Sequence, residues 1–109
     1  MGVMDRDVVR EAILARLSAV IDPGMGVDVV RMRLIEGLMV DGEGVAHYKF
    51  CPSSPLCPMA VQLALSIHEA VASVDGVTGQ DIEVVGYIRS VELNAMLADL
   101  PHPPGPVEP

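Results

Sequence analysis

Prolines at positions 52, 55 and 58 stand three apart in the stretch Phe50-Cys51-Pro52-Ser53-Ser54-Pro55-Leu56-Cys57-Pro58-Met59-Ala60, and neither an α-helix nor a central β-strand runs through such spacing. The chain must change its secondary structure here. A strand-like run, residues 45–50, enters the stretch, and a long apolar-periodic segment, residues 58–74, leaves it as a predicted helix. Both cysteines lie between them, and Cys57 falls at the expected helix start. The first amide N–H groups of a helix have no intrahelical partner, and the macrodipole adds about half a positive charge there. Such a place favours a thiolate, drawing a cysteine pKa from ~8.5 toward ~3.5 to 7.5, so the spacing predicts an exposed, reactive Cys57. Pro58 fits the first helical position, where its missing N–H is not needed. The competing reading is a buried, inert cysteine that precedes a helix.

Upstream, Asp5 or Asp7 can cap a first helix whose apolar positions Val9, Ala12, Ile13, Leu17 and Val20 recur at spacings of three and four. Asp22-Pro23-Gly24 is expected to end it, because the residue before a proline leaves the helical region and Pro-Gly is turn chemistry. Asp22 is either a plain turn aspartate or a group that caps a later amide or holds a polar group near the cysteine loop. Residues 27–32 read as an extended or turn-like lead-in to a strand over about residues 34–40. A loop at 41–44 turns into the next strand, where Ala46, Tyr48 and Phe50 form the packed face and Val45, His47 and Lys49 the wet one. His47 is read as a solvated strand residue.

The helix over 58–74 carries Ala60, Leu63, Ala64, Ile67, Val71 and Val74 on one stripe, the strongest amphipathic pattern in the chain. His68 lies roughly 16 Å along its axis from Cys57, too far to share a metal with it, and reads as a surface or partly buried residue. A loop at 75–79 leads to a third strand at 82–88, rich in β-branched residues. Ser90 is expected to cap a short helix over 91–100, with Glu92 favourably placed in its first turn. Five prolines in residues 101–109 predict a disordered or polyproline-like tail, leaving one folded domain over residues 1–100.

Three aromatic residues and no tryptophan mean an aliphatic core, with the seven methionines expected chiefly as gap fillers. A net charge of -8 repels a phosphate backbone and argues against nucleic acid as partner. Gln62, His68 and Glu69 interrupt the best apolar run before it reaches the ~18 residues of a membrane span. The first residues lack the basic-then-apolar order of a signal peptide, so a cytoplasmic protein is expected. In a reducing cytoplasm two cysteines six positions apart read as thiols available as ligands, nucleophiles or packing, not as a structural disulfide. An iron–sulfur cluster usually takes four protein ligands, so a second subunit, a partner or non-cysteine ligands would have to complete one.

Taken together, a helix, Asp22-Pro23, two strands, then Ser53-Ser54-Pro55-Leu56-Cys57-Pro58 opening a helix and a valine-rich strand resemble the iron–sulfur cluster assembly domain family, in its SufT/PaaD-like branch, domain of unknown function 59. The likeness covers about residues 8–90. It implies an α+β fold, a small two-layer α/β sandwich in the order α-β-β-α-β, here closed by a short C-terminal helix. Cys57 matches the family's reactive cysteine in its Thr-x-Pro-x-Cys-Pro signature, with Ser53 in place of threonine and Pro58 as its last residue. Asp22 matches an acidic residue near the active loop. Gly24 replaces a glutamate, and Arg33 stands where the family has glycine, which implies a different backbone there. Cys51 is outside the signature, and the segment after Tyr87 lacks the family's Pro-x-Trp ending.

The role implied is accessory and non-enzymatic. The protein would help mature or transfer iron–sulfur clusters, working with scaffold or carrier proteins and client apoproteins. Iron or a cluster would be held transiently by Cys57, with Cys51 as a second ligand and Asp22, Ser53, Ser54 and Pro58 in support; a homodimer would bring four thiols together. Two alternatives are a bridging adaptor that binds no cluster and a PaaD-like maturation subunit of a multicomponent oxygenase. Thiol-redox catalysis is disfavoured because five residues, two of them proline, separate the cysteines where Cys-x-x-Cys is usual. An RNA-binding role of the KH kind fails on charge and on the missing Gly-x-x-Gly loop.

Overall fold

Helix α1 (Arg6–Leu17) opens the structure, a computed structural model that describes residues 6–100. Its period of three and four places Val9, Ile13 and Leu17 in the core, as expected from the sequence. It stops at Leu17, four residues before the position predicted, and Val20 packs beside the core from the turn that follows. Asp5 and residues 101–109, with the expected tail, lie outside the described residues.

Instead of simply ending a helix, Asp22-Pro23-Gly24 leads from the last residue of β1 (Ile21–Asp22) into the turn of a small antiparallel hairpin with β2 (Val27–Asp28). The turns after it end on Arg33 at φ 61°, in the left-handed region that glycine favours. Arginine here holds a backbone conformation that glycine adopts at less cost.

Strands β3 (Ile35–Val40) and β4 (Val45–Phe50) pair antiparallel, and β5 (Gly79–Val84) runs parallel to β4 on its other side. Gly37, at φ 65°, sits where the β3–β4 register shifts between Glu36 and Met39, the backbone signature of a bulge. Helix α2 (Ala60–Ala72) makes the crossover that a parallel pair requires. It packs beside α1 and against β5, while α1 packs against β3, so the two helices form one layer and the sheet the other. Ala46, Tyr48 and Phe50 face the helices with Leu63, Ala64, Ile67 and Val71 from α2. This is the expected two-layer α+β sandwich.

The third strand begins at Gly79, three residues earlier than its β-branched run suggested, and stops at Val84. Its parallel pairing sets this register, with Gly79 opposite Val45 and Val84 opposite Phe50. Helix α3 (Ser90–Asp99) then packs on β5 through the buried Leu93 and Leu97. Ser90 is its first residue and not its cap; Arg89 holds the cap position without a side-chain capping bond, and its guanidinium pairs with the carboxylate of Glu92 in the first turn at 3.3 Å. The Asn94 carboxamide accepts from the Val84 N–H at 2.7 Å and donates to the Val84 carbonyl at 3.1 Å, doing at the sheet edge what another strand would do.

Among the methionines, Met32 and Met59 pack against the core as gap fillers, whereas Met25 and Met39 are more than half exposed. His68 is buried within α2, not at the surface, and its carbonyl accepts from the Gln80 side chain at 2.9 Å. No helix among the described residues is long and apolar enough to cross a membrane.

Candidate functional site

Strand β4 delivers Cys51 to the edge of the core. Its amide donates to the Leu34 carbonyl at 2.8 Å, extending the β3–β4 ladder by one bond, and the next residue, Pro52, is buried. The Cys51 side chain is half-buried, with Sγ 3.7 Å from the Pro52 carbonyl oxygen. From Ser53 to Leu56 the loop is exposed. Ser54 organises it twice over: its hydroxyl accepts from the Leu56 amide at 3.2 Å, and its carbonyl accepts from the Cys57 amide at 3.1 Å.

That turn draws Cys57 back under the loop. Cys57 is 7 % exposed, so the expected sulfur projecting freely into water is corrected to a buried one. The expected helix start is corrected as well. Cys57 and exposed Pro58 precede the helix, Met59 is its cap residue, and α2 begins at Ala60. The reason is local: the Cys57 carbonyl accepts from the Ala60 amide at 3.2 Å in a tight turn, and the first bond of α-helical span is from the Leu63 amide to the Met59 carbonyl at 2.8 Å. Cys57 thus lies before the ring of unpaired amides, not within it.

The other predicted site residues are distributed as follows. Asp22 is buried at 4 % exposure, and its Oδ1 accepts from the Gly24 amide at 2.8 Å while its carbonyl accepts from Met25 and Gly26, so it caps its own turn. Its neighbours Ile21 and Pro23 line a shallow depression of about 390 Å³ with Met59 and Leu63, which brings the Asp22 turn to the start of α2. Ser53 is exposed and Ser54 shapes the turn. Both cysteines are free thiols. Among the described residues, no three His, Cys, Asp or Glu side chains are grouped to hold a metal ion. A complete iron or cluster site is therefore not assembled by these residues alone.

Sequence reasoning missed the segment that closes the site. Residues 85–89, of which 85–88 are expected from the sequence to end a strand, form the connection from β5 to α3 and lie against the cysteine loop. The Val85 amide donates to the Phe50 carbonyl at 3.0 Å and the Ile88 amide to the Pro55 carbonyl at 2.9 Å. Gly86, at φ 68°, passes so close to Cys51 that a Cβ added there would lie 2.9 Å from Sγ. A glycine inside an apparent strand was the available signal, since it marks a bulge or a close approach.

His47, on the open face of the sheet, is more than a solvated strand residue. Its Nε2 lies 3.0 Å from Asp41 Oδ2 and its Nδ1 3.4 Å from Asp81 Oδ2. The hydrogen bond to Asp41 raises the imidazole pKa above its ordinary value, with Asp81 adding to it. The same bond, with those from the Val45 and Glu43 amides, lowers Asp41 to about 2. Buried Tyr48 donates its hydroxyl to Gln80 Oε1 at 2.6 Å, and burial pushes its pKa well up.

Residues 10–84 match the model of a family described as iron–sulfur cluster assembly protein. An uncharacterized protein of Methanocaldococcus jannaschii is 36% identical over 92 residues, covering 84% of this chain and 97% of its own length. A protein of Bacillus subtilis named Fe-S protein maturation auxiliary factor is 28% identical over 79 residues, covering 72% of this chain and 78% of its own. The fold matches the crystal structure of a domain of unknown function 59 from Bacillus anthracis, with TM-score 0.68, 30% identity, and coverage of 73% of this chain and 76% of that one.

Proposed function

We propose a function from one premise: this chain belongs to the iron–sulfur cluster assembly protein family. Its role lies in iron–sulfur protein maturation. Our finer reading is that it acts without catalysing a reaction of its own, as an accessory factor or carrier in the cytoplasm. The Cys57 thiolate, with Cys51, transiently holds iron or a cluster as cargo between a scaffold or carrier protein and a client apoprotein. The observation that supports this reading is that both free thiols flank one short loop inside the region matched to the family. A chain offers two thiols where a cluster usually takes four ligands, so a second copy or a partner protein completes the set. Ser54 shapes the turn that carries Cys57, Asp22 caps its own turn, and Asp22, Ser53, Ser54 and Pro58 are supporting residues and not ligands in this reading.

Anaerobic reconstitution with iron and sulfide tests it. Wild-type protein is expected to gain visible absorbance with iron bound, and Cys57→Ser to lose both while remaining folded. An unchanged spectrum in the variant would refute the ligand role.

A second reading draws support from the surface. Leu56 and Ile88, whose segments meet through the Ile88–Pro55 hydrogen bond, are 69% and 68% exposed, and Val91 just beyond is 82% exposed. Exposed aliphatic side chains beside the motif suit an adaptor that bridges proteins without holding metal, or a PaaD-like maturation subunit of an oxygenase. Under that reading Cys57→Ser leaves partner capture intact, whereas Leu56→Asp abolishes it.

A further inference from the structure

One short segment touches the cysteine loop near both thiols. Gly86 lies against Cys51 Sγ, and the Ile88 amide holds the Pro55 carbonyl inside the Ser54–Cys57 turn. Only Tyr87 separates the two contacts along the chain, yet each bears on a different cysteine. Cys57 is 7 % exposed, and the Ile88 amide braces from outside the turn that buries it. Residues 51–57 have no ladder partners of their own beyond Cys51. Ile88 itself is exposed, so nothing in its side chain's packing explains the position of its amide.

We infer that Gly86 and Ile88 are positioning residues for the two thiols: Gly86 sets the seat of Cys51, and the Ile88 N–H keeps the Cys57 turn closed. The inference rests on reading the thiols as cargo ligands. It adds that breaking the Ile88–Pro55 hydrogen bond is the step that makes Cys57 available. Any side chain at position 86 would displace the Cys51 sulfur, because a Cβ at 2.9 Å leaves no room for it and φ 68° disfavours an L residue. A proline at position 88 would remove the one group among the described residues that donates to the Pro55 carbonyl, leaving the Ser54–Cys57 turn otherwise intact.

The test uses the whole chain under native conditions and reads each thiol separately by peptide mass after timed iodoacetamide treatment. In that reaction a cysteine thiolate displaces iodide to form a thioether, with the thiol proton passing to buffer. Ile88→Pro is expected to speed Cys57 labelling about fivefold, the change in open population that follows from losing one ordinary hydrogen bond. It should alter Cys51 little. Gly86→Ala is expected to change Cys51 labelling severalfold and Cys57 less. Hydrogen exchange of the Ile88 amide in wild type should track the Cys57 labelling rate as temperature rises, a measurement that needs no variant to fold. The inference is overturned if both variants speed both thiols equally, in step with loss of global stability, or if neither changes either rate. It also falls if Ile88 exchange and Cys57 labelling are uncorrelated. None of these readouts involves iron, so their failure leaves the ligand reading standing, and a failed reconstitution leaves the thiol seats standing.

Discussion

Replacing Asn94 with alanine removes the carboxamide that satisfies both backbone groups of Val84 at the outer edge of β5. Two hydrogen bonds are lost, each contributing about 1 kcal/mol. Val84 is 2% exposed, so water reaches its freed N–H and carbonyl poorly, and groups left dry raise the penalty toward about 1 to 3 kcal/mol apiece. Alanine is the better helix former and offsets about 0.5 kcal/mol. Asn94→Ala should therefore destabilise the protein by about 2 kcal/mol. Urea unfolding followed by circular dichroism would show this as a midpoint lowered by about 1 M, given a slope of roughly 2 kcal/mol/M. Asn94→Asp sharpens the test, since a carboxylate accepts from the Val84 N–H but cannot donate to its carbonyl. At neutral pH it should be no better than alanine. Protonation restores the donor, so the aspartate's folded pKa lies above its unfolded value of ~3.9, and stability should return as pH falls toward that value. A loss below about 0.5 kcal/mol for Asn94→Ala would refute the edge-pairing argument, because one ordinary bond alone accounts for that much.

At Arg33, glycine should stabilise the fold, since a non-glycine residue at φ 61° carries about 1 kcal/mol of backbone strain; a rise in melting temperature of a few degrees is expected, and a fall would show that the arginine side chain makes up for the strain. His47→Gln tests the pair of carboxylates around the imidazole. Because the folded-state pKa of His47 is raised, its contribution is fully present below about 6.5 and is lost as pH rises through the higher folded value. The wild type should thus lose stability relative to the variant as pH rises above about 6.5, and parallel curves would refute the coupling.

Helix α1, strand β4 and the stripe of α2 were legible because each buries one face, and a buried face writes its period into nearby residues: Val9, Ile13 and Leu17; Ala46, Tyr48 and Phe50; Leu63, Ile67 and Val71. The cysteine loop was legible too, since its prolines act through their own rings. The small hairpin around Asp22 escaped notice because two-residue strands carry no period. The start of α2 was misplaced because proline fits either just before or just inside a helix, and only the hydrogen bonds of Cys57 and Met59 distinguish the two.

What the amino-acid order settled alone is the layout: which faces turn inward, where the chain breaks, and where its two sulfurs fall. Tertiary contact decided the state of those sulfurs. The depth of Cys57, the seat of Cys51 and the end of β5 depend on partners about thirty residues away, Ile88 on Pro55, Gly86 on Cys51 and Val84 on Phe50. Local propensity carries no record of such pairs. They form only when a parallel strand returns beside β4, and that return delivers residues 85–89 to the cysteine loop.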